Sequence, residues 1–207
     1  MNIPKNKINR VSEAILMLGV EMYGDSFNLD DETVKNSYKK MYVNLRDRAI
    51  NEGKKSKKGA LVIGGIGVGK SAMMKIMQRL FKDTESRFKW VNAYELKDLS
   101  EVYTTSEIKE MYGYDLKCDL YIDDIGVSLD VKRYGNTVNI ISELLMERYD
   151  LYINSGYRTH LSSNLKTDIL NNLNKTPTLK SMYGSRLLDR IKEMNEINIF
   201  KGNSKRV

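Results

Sequence analysis

An α/β fold, a parallel sheet covered on both faces by helices, is what this sequence predicts, and three observations carry the prediction. Short apolar runs recur at 60–63, 88–93, 119–123, 159–162 and 197–200. Between them lie stretches whose apolar residues fall at helical spacing. The first run passes directly into Gly64-Gly65-Ile66-Gly67-Val68-Gly69-Lys70-Ser71, a Gly-x-x-x-x-Gly-Lys-Ser loop between a strand and a helix. Strands that alternate with helices in this way pair in parallel, because each crossover returns the chain to the same end of the sheet.

In chain order, 9–23 carries Val11, Ala14, Ile15, Leu18 and Met22 at helical spacing, and Gly24-Asp25-Ser26 ends it. Asp30-Asp31-Glu32-Thr33 is the acidic start of a second helix, whose Val34, Tyr38, Met41, Tyr42 and Leu45 run toward Ile50. The segment 51–59 is a basic, glycine-bounded linker, read either as a solvated loop or as a phosphate-backbone contact. Helices are then expected over 70–82, 95–112, 136–151, 166–173 and 184–193. Residues 1–52 read as an N-terminal helical region and 53–207 as the core.

The glycine-rich loop has a physical basis. Its glycines let backbone N–H groups wrap a polyphosphate, from Gly64 and Gly65 through Ile66, Gly67, Val68 and Gly69 to Lys70, Ser71 and Ala72. Lys70 reaches the β- and γ-phosphates and Ser71 offers its hydroxyl to Mg²⁺. The following helix points its positive dipole end at the same anion. The expected ligands are ATP and Mg²⁺.

Leu120-Tyr121-Ile122-Asp123-Asp124-Ile125-Gly126 sets two carboxylates at the C-terminal end of a buried strand, where open α/β sheets bind ligands. Asp123 is expected in the Mg²⁺ shell and Asp124 as the base that polarises the attacking water. Asn164 ends the next strand, where it either orients that water or serves as a turn residue. Arg186, in Gly184-Ser185-Arg186, projects into a neighbouring subunit's nucleotide or pairs with Asp189; Arg190 is a weaker candidate that can pair locally.

Taken in order, Gly-x-Gly-Lys-Ser, Asp-Asp-Ile-Gly, Ser-Ser-Asn and Gly-Ser-Arg-Leu-Leu-Asp-Arg resemble the AAA+ ATPases of the DnaC/IstB type. These are replicative-helicase loaders of bacteria and phages, and related transposition helpers. The resemblance covers about residues 37 to 207 and includes the final strand and basic tail. It implies a three-layer P-loop NTPase core with a short N-terminal helical extension and no full C-terminal lid. Lys70 and Ser71 then stand as Walker A, Asp123 and Asp124 as Walker B, Asn164 as sensor 1 and Arg186 as the arginine finger. Asp124 departs from the glutamate common in that position, and its shorter arm implies slower hydrolysis. No sensor 2 arginine is evident, and the first 50 or so residues match no pattern.

The implied partners are a replicative helicase or a transposase, single-stranded DNA, and further copies of the chain in an ATP-dependent oligomer. The resemblance makes the stretch 94–112 a candidate for DNA contact, read equally as an ordinary amphipathic helix. Lys132-Arg133-Tyr134 is a second candidate, alternatively a solvated loop. A small-molecule kinase and an adaptor that binds nucleotide without turning it over are the other readings.

Composition narrows the classes further. Of 207 residues, 41% are hydrophobic and 29% charged, as in ordinary globular proteins. Lys and Arg number 34 against 27 Asp and Glu, a net charge of +7 compatible with a nucleic-acid partner. No apolar stretch approaches a membrane span, the first residues lack a signal-peptide core, and a cytoplasmic location is expected. With one cysteine, Cys118, and one histidine, His160, neither an internal disulfide nor a zinc site is expected.

Overall fold

The computed structural model describes residues 5–50, 58–126, 130–133, 136–167, 177–202 and 204. Residues 51–57 of the expected linker, the side chains of Lys132 and Arg133, Tyr134, residues 168–173 of the helix expected over 166–173, and the basic tail at 205–207 lie outside the described residues. Contacts divide the chain into two compact units. One draws on Met1–Ser56, Gly65–Arg87 and Ile199–Val207, the other on Lys57–Gly64 and Phe88–Asn198.

The first unit is helical. Helix α1 spans Lys5–Tyr23, α2 Glu32–Ile50 and α3 Lys70–Phe81. Asp31 starts α2 by accepting the Thr33 N–H at 2.8 Å and the Val34 N–H at 3.3 Å. The expected stripe is the buried one: Val34, Tyr38, Met41 and Leu45 all face inward. Helix α3 packs against both α1 and α2. Tyr42 meets Phe81 with ring centroids 5.4 Å apart, and Ser86 Oγ donates to the Leu45 carbonyl. Phe200, beyond the last strand, contacts Tyr38 edge-on at 6.3 Å.

The second unit holds a five-stranded sheet built from β1 (Gly59–Ile63), β2 (Phe88–Asn92), β3 (Asp119–Ile125), β6 (Thr159–Ser163) and β7 (Asn195–Ile199). Its order is β2-β3-β6-β1-β7, with β2, β3, β6 and β1 paired in parallel. Strand alternation separates two kinds of side chain. Leu61, Val91, Leu120, Ile122 and Leu161 join the apolar core formed with α4 (Ala93–Val102), α5 (Thr105–Tyr112), α6 (Ile140–Ser155) and α7 (Leu179–Met194). Alternate positions carry Trp90, Tyr121, Asp123, His160 and Ser162, where a polar and aromatic layer forms instead.

The structure departs from the expected elements in three places. The single helical region over 95–112 is two helices, because Thr104 and Glu107 form a capping box that starts α5 after an extended Tyr103. The helix expected from 136 begins at Ile140, capped by Asn139 accepting the Ser142 N–H at 3.1 Å. Before it, β4 (Asp130–Arg133) and β5 (Asn136–Asn139) form an antiparallel hairpin in which the β-branched Val131, Thr137 and Val138 take strand positions. Helix α7 is interrupted at Gly184, whose φ of 77° and ψ of 167° are not helical. No helix among the described residues is long and apolar enough to cross a membrane.

Candidate functional site

In the first unit, the glycine loop closes on its own lysine. Lys70 is buried, and its Nζ donates to the Gly65 carbonyl at 2.9 Å. Gly69 caps α3 from a left-handed conformation, φ 101°, that a side chain would strain, and supplies no side-chain cap. The first turn of α3, with Lys70, Ser71 and Ala72, therefore presents backbone N–H groups rather than covering them with its own cap. Val68 is buried while Ile66 is exposed, so the loop is pinned at one residue and open at the other.

In the second unit, β1 delivers Gly64 to the end of β6. Ile63 pairs with Ser163, and the Gly64 N–H donates to the Ser163 carbonyl at 3.2 Å. One strand further, β3 is irregular. Ile122 pairs with Leu161 and Ile125 with Ser163, so three steps on β3 run against two on β6. This one-residue bulge falls on Asp123 and Asp124. Asp124 takes φ 57°, the one positive φ of a non-glycine residue among those described. In a regular strand the two carboxylates would leave on opposite faces; the bulge re-aims the second.

Five polar side chains surround the bulge. Asp123 is buried, and its Oδ1 accepts the Tyr121 hydroxyl at 2.7 Å and the Ser162 hydroxyl at 2.5 Å. Ser162 Oγ also accepts the Asp124 backbone N–H at 2.9 Å, so one hydroxyl holds both acidic residues. Asn164 Nδ2 lies 3.4 Å from Asp124 Oδ1. Ser163 Oγ donates to the Ile125 carbonyl at 2.7 Å and accepts the Leu165 N–H at 3.0 Å, fixing the loop after β6 to the loop after β3. Tyr183 Oη accepts the Gly126 N–H at 2.8 Å and ties in α7. Burial, then the neighbouring Asp123 charge, pushes the Tyr121 phenol well above its usual value, so it stays a donor.

The structure thus brings together Asp123, Asp124 and Asn164 in one unit, and Lys70, Ser71 and Ala72 in the other. Arg186 is exposed on α7 two residues past the Gly184 break, and among the described residues it forms no ion pair with Asp189. Arg190 is locally engaged, its guanidinium 4.8 Å from the Tyr149 ring centroid. Tyr121 and Ser162 are the residues that motif reading missed. Their signal was present: Tyr121 stands two before Asp123 on one strand face, and Ser162 is a polar residue inside a central buried strand.

Fold and loop together define an α/β P-loop NTPase-like protein. No protein-family model matches the sequence, and no curated protein matches it. Among solved structures, DnaI matches 99% of this chain and 94% of its own at 18% identity, with a TM-score of 0.59. The DnaC helicase loader matches 90% of this chain and 98% of its own at 18% identity, with a TM-score of 0.52. DnaA from Aquifex aeolicus, bound to AMPPCP, matches 84% of this chain and 48% of its own at 15% identity and a TM-score of 0.57. The chain is therefore similar in fold to the DnaC helicase loader, to DnaI and to a DnaA that holds AMPPCP.

Proposed function

We propose that this protein is an ATP-binding and ATP-hydrolysing AAA+ replication factor that loads a replicative helicase onto single-stranded DNA. The observation that carries the reading is the bulged Asp123-Asp124 pair, held by Ser162 and met by Asn164, on the sheet whose β1 feeds the glycine loop. The fold likeness to DnaC and DnaI supports the helicase as partner.

The residues fit the ligands. A magnesium ion on a nucleotide takes hard oxygen donors, one or two carboxylates beside phosphate and water. In the second unit Asp123 offers a carboxylate whose Oδ2 takes no hydrogen bond among the described residues, and in the first unit Ser71 offers a hydroxyl, each a donor of that kind. When bound, magnesium and nucleotide supply the electrophilic phosphorus and neutralise charge at the leaving oxygens. Backbone N–H groups from Gly65 to Ala72 would bind the phosphates, while the Gly64 N–H is held by the Ser163 carbonyl. Lys70, now on the Gly65 carbonyl, would hold a phosphate oxygen instead. Asp124 accepts the proton of the attacking water at its carboxylate, and Asn164 orients the same water. Arg186 stabilises transition-state charge in a neighbouring copy's site, which couples turnover to assembly. Residues 1–52 act as the partner-binding region and 53–207 as the ATPase core, in the cytoplasm.

The test is steady-state ATP hydrolysis against protein concentration, with and without single-stranded DNA. Turnover per subunit that rises with concentration and changes with DNA is the expected result. Turnover that is flat and blind to DNA removes the assembly reading. Asp124→Asn is expected to abolish turnover while ATP still binds; an adaptor that never hydrolyses would be unchanged in both.

A further inference from the structure

We infer that Tyr121 is a positioning residue for Asp123, holding the carboxylate in one orientation through Oδ1 so that Oδ2 remains the edge that faces a cation. The inference rests on the magnesium-nucleotide reading above and names a part of the machinery that the motifs do not contain.

Two features carry it. First, the phenol reaches Asp123 Oδ1 at 2.7 Å and converges there with the Ser162 hydroxyl, so both donors load one oxygen and none loads the other among the described residues. A carboxylate rotates freely about its last torsion unless donors fix it, since that torsion has a broad two-fold profile. Two donors on one oxygen remove that freedom. Second, the phenol is itself immobile. The ring is fully buried, with the Trp90 centroid 4.4 Å and the Phe88 centroid 6.1 Å away.

The same contacts provide a reporter. Trp90 is the one tryptophan of the chain and stands against the Tyr121 ring. A change at Asp123 is transmitted through one hydrogen bond to the phenol and through ring contact to the indole.

The experiment compares wild type with Tyr121→Phe, which keeps the ring and removes the hydroxyl. Binding of a fluorescent ATP analogue is titrated with Mg²⁺, in parallel with Trp90 emission. In the variant the Mg²⁺ midpoint is expected to rise about tenfold, the scale of losing a partner behind a metal-binding carboxylate. Binding in EDTA is expected to stay unchanged, which a merely structural defect would not allow. Wild-type Trp90 emission is expected to change on Mg²⁺ addition at saturating nucleotide, and Asp123→Ala to abolish that change. If Tyr121→Phe does not fold, the wild-type and Asp123→Ala emission comparison still decides: emission indifferent to Mg²⁺ overturns the inference. A Mg²⁺ midpoint unmoved in a folded Tyr121→Phe overturns it while leaving the nucleotide reading intact. A wild type that binds no nucleotide at any Mg²⁺ concentration overturns both.

Discussion

Arg158 meets Asp119 twice, with its backbone N–H on Oδ1 at 2.8 Å and its Nε on Oδ2 at 2.8 Å, and both side chains are fully buried. The pair sits where β3 and β6 begin, at the ends opposite the acidic bulge. Arg148 from α6 spans the same place, donating to Thr159 Oγ1 at 2.9 Å, to the Arg158 carbonyl at 2.8 Å and to the Cys118 carbonyl at 3.2 Å. His160 Nδ1 accepts the Ala60 N–H at 3.2 Å, joining β1 to the cluster.

Removing one partner of such a pair leaves a charge uncompensated in the interior. Asp119→Asn is expected to cost about 3–5 kcal/mol, read as a fall in the urea midpoint. The double variant Asp119→Asn with Arg158→Met is expected to lose clearly less than the sum of the two single changes. Additive losses in that cycle would mean the two side chains do not depend on each other.

Burial of Tyr38 and Tyr121 sets the alkaline limit. Burial raises both phenols above their ordinary value of 10.0. The folded state therefore favours the neutral form more than the unfolded chain does. That contribution is complete below pH about 10 and declines as pH rises from there toward the folded values. Urea midpoints should show no phenol-dependent loss between about pH 7 and 9 and a fall above about pH 10. Tyr38→Phe should lose less between about pH 8 and 11 than the wild type does. Equal losses would place the alkaline sensitivity elsewhere.

Gly126 follows the acidic pair at φ 94°, and an added Cβ would stand 2.7 Å from Leu165 Cδ1 and 3.2 Å from Leu179 Cδ2. Gly126→Ala is expected to cost about 1–3 kcal/mol from strain and crowding together. Gly24→Ala is the control: its φ is 80°, but nothing lies within 4 Å of the added carbon. It should lose less. Matching losses would assign the whole effect to backbone conformation.

Arg79 and Glu21 form an ion pair between α3 and α1, with side chains 47% and 56% exposed. Exposed pairs are screened and flexible, so Glu21→Gln should shift stability by less than about 1 kcal/mol. A larger shift in the urea midpoint would mean that this contact carries the packing of α1.

How much of this could be read from sequence differs by residue, for physical reasons. Strand runs and the Gly-Lys-Ser loop are local signals, and β1, β2, β3, β6 and α3 stand where periodicity places them. The Asp123-Asp124 pair was legible as a motif, but its geometry was not. Nothing in the letters shows that β3 has one more residue than β6 between Ile122 and Ile125. Ser162 escaped because its role depends on register between strands 39 positions apart, whereas Tyr121, two before Asp123 on the same strand, lies outside the motif itself. The hairpin β4–β5 was hidden for the opposite reason. Its strands are four residues each, too short for alternation to stand out before a helix.

Arg186 separates a site completed by a second copy from one that is self-contained. It is exposed on α7, and among the described residues it has no ion pair that would hold it to its own subunit. An arginine supplied across a subunit boundary contributes about 10³-fold or more to phosphoryl transfer, and so Arg186→Ala should lose turnover on that scale while ATP binding is unchanged. Lys70→Ala should lose binding instead. If the site is shared as proposed, each variant lacks a different half of it, so mixing the two should restore part of the turnover that neither shows alone. The restoration should scale with the fraction of mixed neighbours, measured by steady-state hydrolysis across mixing ratios. A mixture no more active than its components would place Arg186 outside any shared site, because a subunit with intact Lys70 would then gain nothing from a neighbour with intact Arg186.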